Sequence, residues 1–568
     1  MTTPGLTANT TYGLSCTGAG GTGSGSATVT VTALPAPTVT ISANPTSVSS
    51  GGTSTITWSS TNATTCIGSG AWSGSQTLNG STTTAALTAS TTYGLSCTGV
   101  GGGASGSASV TVVGTGPSIA ASSNHRYLVD QNNAPILLVG DGAAQALVQR
   151  TTSVVTTYLD DRQAKGFNAL WMHVIMNDRD GANLNGKTDD GDAPFTATLS
   201  NPTSCDNGPC YDVTKPNPAY FNHVDQVVNI AAAHGMVVFL DMMENDSYLQ
   251  LYEYNGATAM TAYAQYLVDR YKSFPNIVWM TGNDFQTYGS SATTQAADGS
   301  SSTDNQLAQA IMSTVASNDT TAHPHLQTTE LNYNISGSFD DSLLAPYTTL
   351  ASAYTYYPSY YEVLQEYNSG VKTAPVYLIE SYYEGYTYGN LTPQSANNLM
   401  LRKIPYWTVL AGGLGGYFYG SIWYTFPTNW QNLIDTTAVA QIGYWKSFFT
   451  SLPSWYNLVP DQSHAIVTAG YGTPTGNGNG NIQSDNYVTT AATPDGKLVV
   501  SYLPAGGTLT VNMAKLSGTV NAQWFDPTNG IYTPVSGSPF INTGTQTFTP
   551  AGNNSAGSPD WVLVLQVP

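Results

Sequence analysis

Charge is what this sequence has least of. Only 9% of its 568 residues are charged, with 15 Lys and Arg against 34 Asp and Glu. A net charge of −19 offers no basic surface to a phosphate backbone or an anionic leaflet, so nucleic acid and membrane are not expected partners. Long apolar runs are missing as well. No stretch approaches the roughly 18 residues that a membrane span needs. The start, Met1-Thr-Thr-Pro-Gly5, lacks the basic residues and apolar stretch of a leader peptide. Histidine and cysteine number only 7 and 5, and no group of them has zinc-ligand spacing. No Gly-x-Ser-x-Gly elbow lies in the region where strands and helices alternate, which argues against a serine esterase.

What replaces charge is Gly, Ser, Thr, Asn and aromatic residues, including 36 Tyr and 11 Trp. Such a surface suits a secreted protein. Tyr and Trp give flat amphipathic faces on which sugar rings stack, although most pack in cores. The cysteines follow a repeat. Thr7–Val31 (TANTTYGLSCTGAGGTGSGSATVTV) nearly recurs as Thr88–Val112 (TASTTYGLSCTGVGGGASGSASVTV), which puts Cys16 on Cys97. If each repeat carries one disulfide and the first is cut in half, Cys66 pairs with Cys97 and Cys16 has lost its partner. Cys205 and Cys210 are close enough to clip a loop. Paired cysteines imply an oxidising compartment.

The length asks for several domains. Residues 1–33 read as the second half of a truncated repeat. Residues 34–116 read as one complete repeat of short alternating strands with Gly/Ser turns, a β-sandwich. From 117 to 452 strands alternate with helical patterns, the sign of a parallel sheet with crossovers. Eight strand–helix units can be counted, which fits a (β/α)8 TIM barrel. Residues 453–568 return to strands alone, an antiparallel sandwich. The fold class is therefore multidomain: a (β/α)8 barrel flanked by an N-terminal immunoglobulin-like sandwich and a C-terminal antiparallel sandwich.

Two apolar runs stop abruptly at acids: Ile277-Val-Trp-Met-Thr-Gly-Asn-Asp284 and Pro375-Val-Tyr-Leu-Ile-Glu380. They are the fourth and seventh strands. A barrel keeps its chemistry at such strand ends. Glycoside hydrolysis needs two carboxyl groups across the scissile bond, one to protonate the leaving oxygen and one to attack carbon or activate water. Asp284 and Glu380 are the candidates, and Asn283 could hold the sugar's 2-hydroxyl. Carboxyl groups about 5–5.5 Å apart would mean retention of configuration, and about 6.5–9.5 Å inversion. No cofactor is needed for this chemistry.

Several motifs carry a family resemblance from about Asn124 onward. They are Gly140-Asp141-Gly142, Lys165-Gly166-Phe167-Asn168, Trp279-Met-Thr-Gly282-Asn283-Asp284, Ile379-Glu380-Ser381-Tyr382-Tyr383-Glu384, Leu410 to Gly420, Leu458-Val-Pro-Asp461, Trp524-Phe-Asp-Pro527 and Asp560-Trp-Val-Leu563. Here the chain resembles the apiosidase-like glycoside hydrolases, which join a barrel to a C-terminal sandwich labelled collagen-binding. The N-terminal repeats resemble bacterial immunoglobulin-like modules, with a spacer role favoured over carbohydrate binding. The family resemblance implies Asp284 as acid/base and Glu380 as nucleophile. The chain departs from the family pattern at Gly142-Ala143-Ala144, Asn283 and Ser381, so apiose specificity does not carry over.

Other strand-end residues are candidates for substrate contact: Asp141, His173, Asp241, Glu330, Tyr356, Tyr383, Tyr419 and Trp423. Asp141 and Asp241 could equally brace loops, and Glu330 and Glu384 could tune neighbouring acids. The acidic stretch from Asp178 to Asp192 could hold structural calcium, although its spacing breaks the Asp-x-Asp-x-Asn rule. The expected activity is retaining cleavage of a plant or microbial polysaccharide or its side chains, with pentofuranosyl units such as apiose or arabinose among the candidates. The contrasting expectation is a non-catalytic carbohydrate-binding or adhesin protein with an inactive barrel.

Overall fold

The computed structural model describes all residues except 1, 4, 143–145, 178–184, 203, 207, 246–247, 285–303, 322–323, 332–334, 386–396, 422–425 and 477–479. The chain forms two compact units, residues 1–112 and 113–568.

The first unit contains ten strands. The hairpin of β1 (Thr10–Gly18) and β2 (Gly21–Val29) is a two-stranded sheet. The remaining eight are β3 (Thr38–Asn44), β4 (Ser47–Ser49), β5 (Thr55–Thr61), β6 (Thr65–Gly70), β7 (Gly74–Gln76), β8 (Asn79–Thr83), β9 (Thr91–Gly99) and β10 (Gly102–Val113). They make a three-stranded sheet, β3-β5-β8, and a five-stranded sheet, β4-β10-β9-β6-β7. Alternation along β5 and β9 turns Ile56, Trp58, Tyr93 and Leu95 inward around the Cys66–Cys97 disulfide. Cys16 is free and exposed. β4, β6, β7 and β8 are short and rich in Ser, Gly and Thr, and the strand expected at Thr83–Leu87 lies instead at Asn79–Thr83.

The second unit is organised by eight strands that are buried on both faces. They are β11 (Leu138–Asp141), β12 (Ala169–His173), β13 (Val237–Asp241), β14 (Ile277–Thr281), β15 (Gln327–Thr329), β16 (Ala351–Thr355), β17 (Val376–Glu380) and β18 (Gly416–Ser421). Their order in one curled sheet is β15-β14-β13-β12-β11-β18-β17-β16, with every ladder between them parallel. A short strand, Ile335–Gly337, pairs antiparallel on β16, so the sheet is mixed. No ladder joins β15 to β16. The two ends meet instead through Thr349 and Leu350 N–H groups donating to the Gln327 carbonyl at 2.9 and 3.0 Å. The Ser352 hydroxyl also donates to the Thr329 carbonyl at 2.5 Å.

Helices follow seven of the strands: α1 (Thr152–Ala164), α2 (Pro218–Ala233), α3 (Leu249–Tyr271), α4 (Asp304–Asn318), α5 (Ser359–Tyr367), α6 (Asn398–Leu410) and α7 (Thr437–Ser451). Their buried faces follow apolar spacing, as with Met260, Tyr263 and Leu267 on α3 and Ile442, Trp445 and Phe449 on α7. The expected fifth strand–helix unit differs. Between β15 and β16 the described residues form the short strand and a series of turns. Its middle, Ser336-Gly-Ser-Phe-Asp-Asp-Ser342, is mostly polar and Pro346 follows four residues later, so no long apolar stripe is left for a helix to bury.

Inside the curled sheet, Phe239, Tyr377 and Phe418 meet at centroid distances of 4.8–5.9 Å. Gly140 makes this possible, because a Cβ there would stand 2.3 Å from two carbons of the Phe418 ring. The C-terminal residues form a six-stranded antiparallel sheet, one face of which packs on α6 and α7, and a three-stranded sheet that packs on its other face. Three of their strands, Val459–Pro460, Thr489–Ala492 and Ile531–Pro534, carried too few apolar residues to be read from the sequence.

The Gly140 contact gives a stability test. Gly140→Ala should cost about 1–3 kcal/mol, since the Phe418 ring has to move within a packed interior. Chemical denaturation of variant and parent measures it, and an unchanged midpoint would contradict the packing described.

Candidate active site

Parallel strands deliver all their C-terminal ends to one rim, and the acids at those ends converge there. β14 is followed by Gly282 at φ 84 and Asp284 at φ 46, two left-handed residues that turn the chain sharply. Glycine takes that region freely, and Asp is among the few side chains that tolerate it. Three bonds hold the turn. The Gly282 N–H donates to Asp241 Oδ1 at 3.2 Å, the Asp284 N–H donates to Glu330 Oε2 at 3.3 Å, and Asn283 Oδ1 accepts the Asn245 N–H at 2.9 Å.

Across the rim, Glu380 ends β17. Between it and Asp284 stands Tyr354 of β16. Its phenol oxygen lies 2.7 Å from Asp284 Oδ1, 3.3 Å from Glu380 Oε1 and 3.0 Å from the Tyr356 hydroxyl. The Tyr356 hydroxyl also donates to Glu380 Oε1. Tyr354, Tyr356 and Tyr382 form a continuous aromatic wall, with centroids 5.4 and 5.6 Å apart. Burial, then the carboxyls of Glu380 and Asp284, push the Tyr354 phenol well above its ordinary titration range, so it keeps its proton. Residues two apart on a strand share a face, so Tyr354 and Tyr356 were legible as a pair. The bridging role of Tyr354 was not legible, because it depends on a register shift between Ala353 and Tyr354.

Glu330, at the end of β15, is fully buried. Burial first, then Glu380 and Asp284, raise its carboxyl well above the usual glutamate range. Its Oε1 is buried and has no hydrogen-bond partner among the described residues.

The other candidates divide by what they touch. Asp241 is fully buried, and besides the Gly282 N–H it accepts the Met243 N–H at 3.1 Å. His173 meets it with Nδ1 at 2.9 Å. Asp141 is fully buried against the Arg162 guanidinium at 3.2 Å, the geometry of a brace beneath the rim. Tyr419 donates to Glu384 Oε2, which also accepts the Thr436 hydroxyl at 2.9 Å, so this pair ties β18 to the start of α7. Tyr383 is half-buried and lies over Gly420, where a Cβ would meet its ring at 1.7 Å. Trp423 lies outside the described residues, as does much of the acidic stretch proposed for calcium. Among the described residues no group of three or more His, Cys, Asp or Glu is placed to hold a metal ion.

Residues 122–456 match the family model described as "Apiosidase-like, catalytic domain", and residues 478–566 match "Putative collagen-binding domain of a collagenase". Among curated proteins no match was found. Similar solved structures include a glycoside hydrolase with 18% identity and TM-score 0.63, covering 80% of this chain and 97% of its own. A glycoside hydrolase family 5 protein from Bacteroides vulgatus ATCC 8482 also has 18% identity, with TM-score 0.62, covering 79% and 92%.

Two variants test the electrostatics. Tyr354→Phe removes a donor that favours ionised carboxylates, so the acid limb of the kcat/KM profile should move to higher pH and kcat should fall about 10²-fold. An unchanged profile would remove Tyr354 from the site. Glu330 binds its proton more tightly in the fold than at its ordinary value of 4.5, so its contribution to stability is full below that pH and declines as pH rises. Glu330→Gln should therefore gain stability relative to the parent as pH rises from the ordinary glutamate range, read from denaturant midpoints. A gap between the two that does not change with pH would contradict this.

Proposed function

Because the chain belongs to the apiosidase-like family of glycoside hydrolases, we propose that it cleaves glycosidic bonds with retention, using Asp284 as acid/base and Glu380 as nucleophile. The observation that carries this reading is the shared phenol. With legs of 2.7 and 3.3 Å meeting at Tyr354, the two carboxylate oxygens lie within about 6 Å, nearer the retaining than the inverting spacing.

In the first step a Glu380 oxygen attacks the anomeric carbon while Asp284 gives its proton to the departing glycosidic oxygen. In the second, Asp284 takes a proton from water, which displaces Glu380 from the sugar. Tyr354 and Tyr356 hold Glu380 ionised and aim its oxygen. Glu330, kept neutral, gives Asp284 a buried neighbour without adding another charge. Asn283, whose Oδ1 is used on the Asn245 N–H, has its amide nitrogen left for the 2-hydroxyl. His173, Asp241, Tyr383 and Tyr419 are the further candidates for hydroxyl and stacking contacts.

The eight-strand order supports a (β/α)8 barrel for residues 117–452, with an immunoglobulin-like sandwich at 34–116 and an antiparallel sandwich at 453–568. The Cys66–Cys97 and Cys205–Cys210 disulfides support secretion or display at a cell surface. No described helix is long and apolar enough to cross a membrane. The substrate class is a plant or microbial polysaccharide or its side chains, with pentofuranosyl units among the candidates.

The test is a panel of arabinans, pectins and exopolysaccharides, with the first-formed anomer read by NMR. The parent should release product of retained configuration. Glu380→Gln should fold normally and lose turnover by at least about 10³-fold. Near-normal turnover in that variant, or an inverted product, would refute the assignment.

A further inference from the structure

β15 and β16 meet at a seam that the short strand Ile335–Gly337 helps to close. It lies against β16, with Ser336 opposite Tyr354 and Gly337 opposite Ala353. Ser338 continues the contact. Its N–H donates to the Ser352 carbonyl at 2.9 Å, and its hydroxyl oxygen accepts the Ser352 N–H at 3.0 Å. The Ser352 hydroxyl donates in turn to the Thr329 carbonyl, so one pair of serines spans the seam. Tyr354 stands two residues beyond Ser352, and Glu330 is the residue after Thr329.

Behind the seam, α5 presents two glutamates one turn apart. Glu362 and Glu366 are only 3% and 4% exposed. Glu366 Oε2 accepts the Ser338 hydroxyl at 3.3 Å. A Cβ on residue 337 would stand 1.9 Å from Glu366 Oε1, so carboxyl and strand meet this closely because Gly337 has none. The charged groups facing this carboxyl are acidic: Glu362 on its own helix and Asp340 just after the strand. On β16 and β17, Tyr354 and Glu380 meet at the rim, and Tyr377 packs on Phe239 and Phe418 inside the sheet. On α6, Arg402 binds Asp560 and Lys403 binds the carbonyls of Ile482, Gln483 and Asp485. Arg126 and Lys372 donate to the carbonyls of Tyr367 and Thr348. Burial first, then Asp340 and Glu362, push the Glu366 carboxyl up to about 9. Burial, then Asp340, push Glu362 up to about 7.

Given the retaining-hydrolase reading, on which this rests, we propose that protonated Glu366 is a positioning residue: it pins the short strand across the seam and so holds Tyr354 and Glu330 in place beside Asp284 and Glu380. The pin is a neutral acid. Once ionised, Glu366 sets a charge beside Glu362 and Asp340 in a dry place, and opening the seam to water relieves it. An open seam returns the carboxyl toward its ordinary value of 4.5. The pin is therefore at full strength below that pH, and each unit above it, up to about 9, makes opening up to about tenfold easier.

Hydrogen exchange on the full chain reads the pin directly. Corrected for intrinsic rates, protection of residues 335–338 and 351–355 should fall by up to about tenfold per unit from about pH 7 to 9, above the range in which Glu362 loses its proton. In Glu366→Gln, which keeps the shape and stays neutral, protection should hold level. In turnover, Glu366→Ala should lose kcat about tenfold with KM nearly unchanged. Glu366→Gln should restore that kcat and sustain it to higher pH than the parent does. Equal exchange slopes in parent and Glu366→Gln would overturn the proposal, as would full kcat in Glu366→Ala. Failure of the hydrolase reading looks different: neither parent nor variant turns over any substrate, while the difference in exchange slopes stays.

Discussion

Negative charge gathered in a dry place is the constraint that the second unit is built to satisfy. Asp241, Asp284, Glu330 and Glu380 stand at the ends of neighbouring strands, and three of the four are almost wholly buried. Like charges so placed cannot all ionise unless each finds a donor. The structure shares donors among them. Asp241 takes two backbone N–H groups and faces His173, while Glu380 takes the Tyr356 hydroxyl. Tyr354 stands between Glu380 and Asp284, and Glu330 keeps its proton. Phenol hydroxyls and backbone N–H groups are thus among the groups that hold the charge.

Such an arrangement needs a stiff floor. Phe239, Tyr377 and Phe418 fill the sheet's interior directly below, and Gly140 leaves the gap that admits Phe418. The turn after β14 needs left-handed residues on either side of Asn283, so Gly282 and Asp284 are constrained by backbone as well as by chemistry. The acid's position is therefore fixed from both sides, by a sharp turn behind it and by the Glu330 carboxyl in front.

Much of this was legible in the residues. Strands buried on both faces announce themselves as β-branched and aromatic runs, and seven helices followed from apolar spacing alone. Asp284 and Glu380 could be picked out because each interrupts such a run. What escaped depended on partners distant in sequence. Asp141 looks like any strand-end acid until Arg162 is seen against it. Tyr354 is one of 36 tyrosines until the sheet curls. The segment after β15 failed the helix expectation because counting units assumed a helix that its composition does not support. In the N-terminal unit, β6 went unread although it carries Cys66, since Thr65-Cys-Ile-Gly-Ser-Gly70 has no alternation strong enough to stand out.

The scarcity of cations acquires a meaning once their places are known. Arg162, Arg270 and Arg402 are spent inside the fold, on Asp141, Asp225 and Asp560. A buried pair of this kind adds little net stability, yet losing one partner is costly, so it fixes geometry more than it strengthens the fold. Arg402 shows where geometry matters. It lies on α6, the helix that follows the Glu380 strand, and grips Asp560 of the C-terminal sheet with two bonds of 2.8 and 3.0 Å. One residue along, the Lys403 ammonium donates to the carbonyls of Ile482, Gln483 and Asp485, and Trp407 Nε1 donates to the Tyr487 carbonyl. Tyr406 stacks on Tyr502 at 4.7 Å. With four successive contacts on one helix, the C-terminal sheet acts as a backing plate for α6 and so for the strand that presents Glu380. Whatever else that sheet binds, the unit from 113 to 568 is held together as one body around its site.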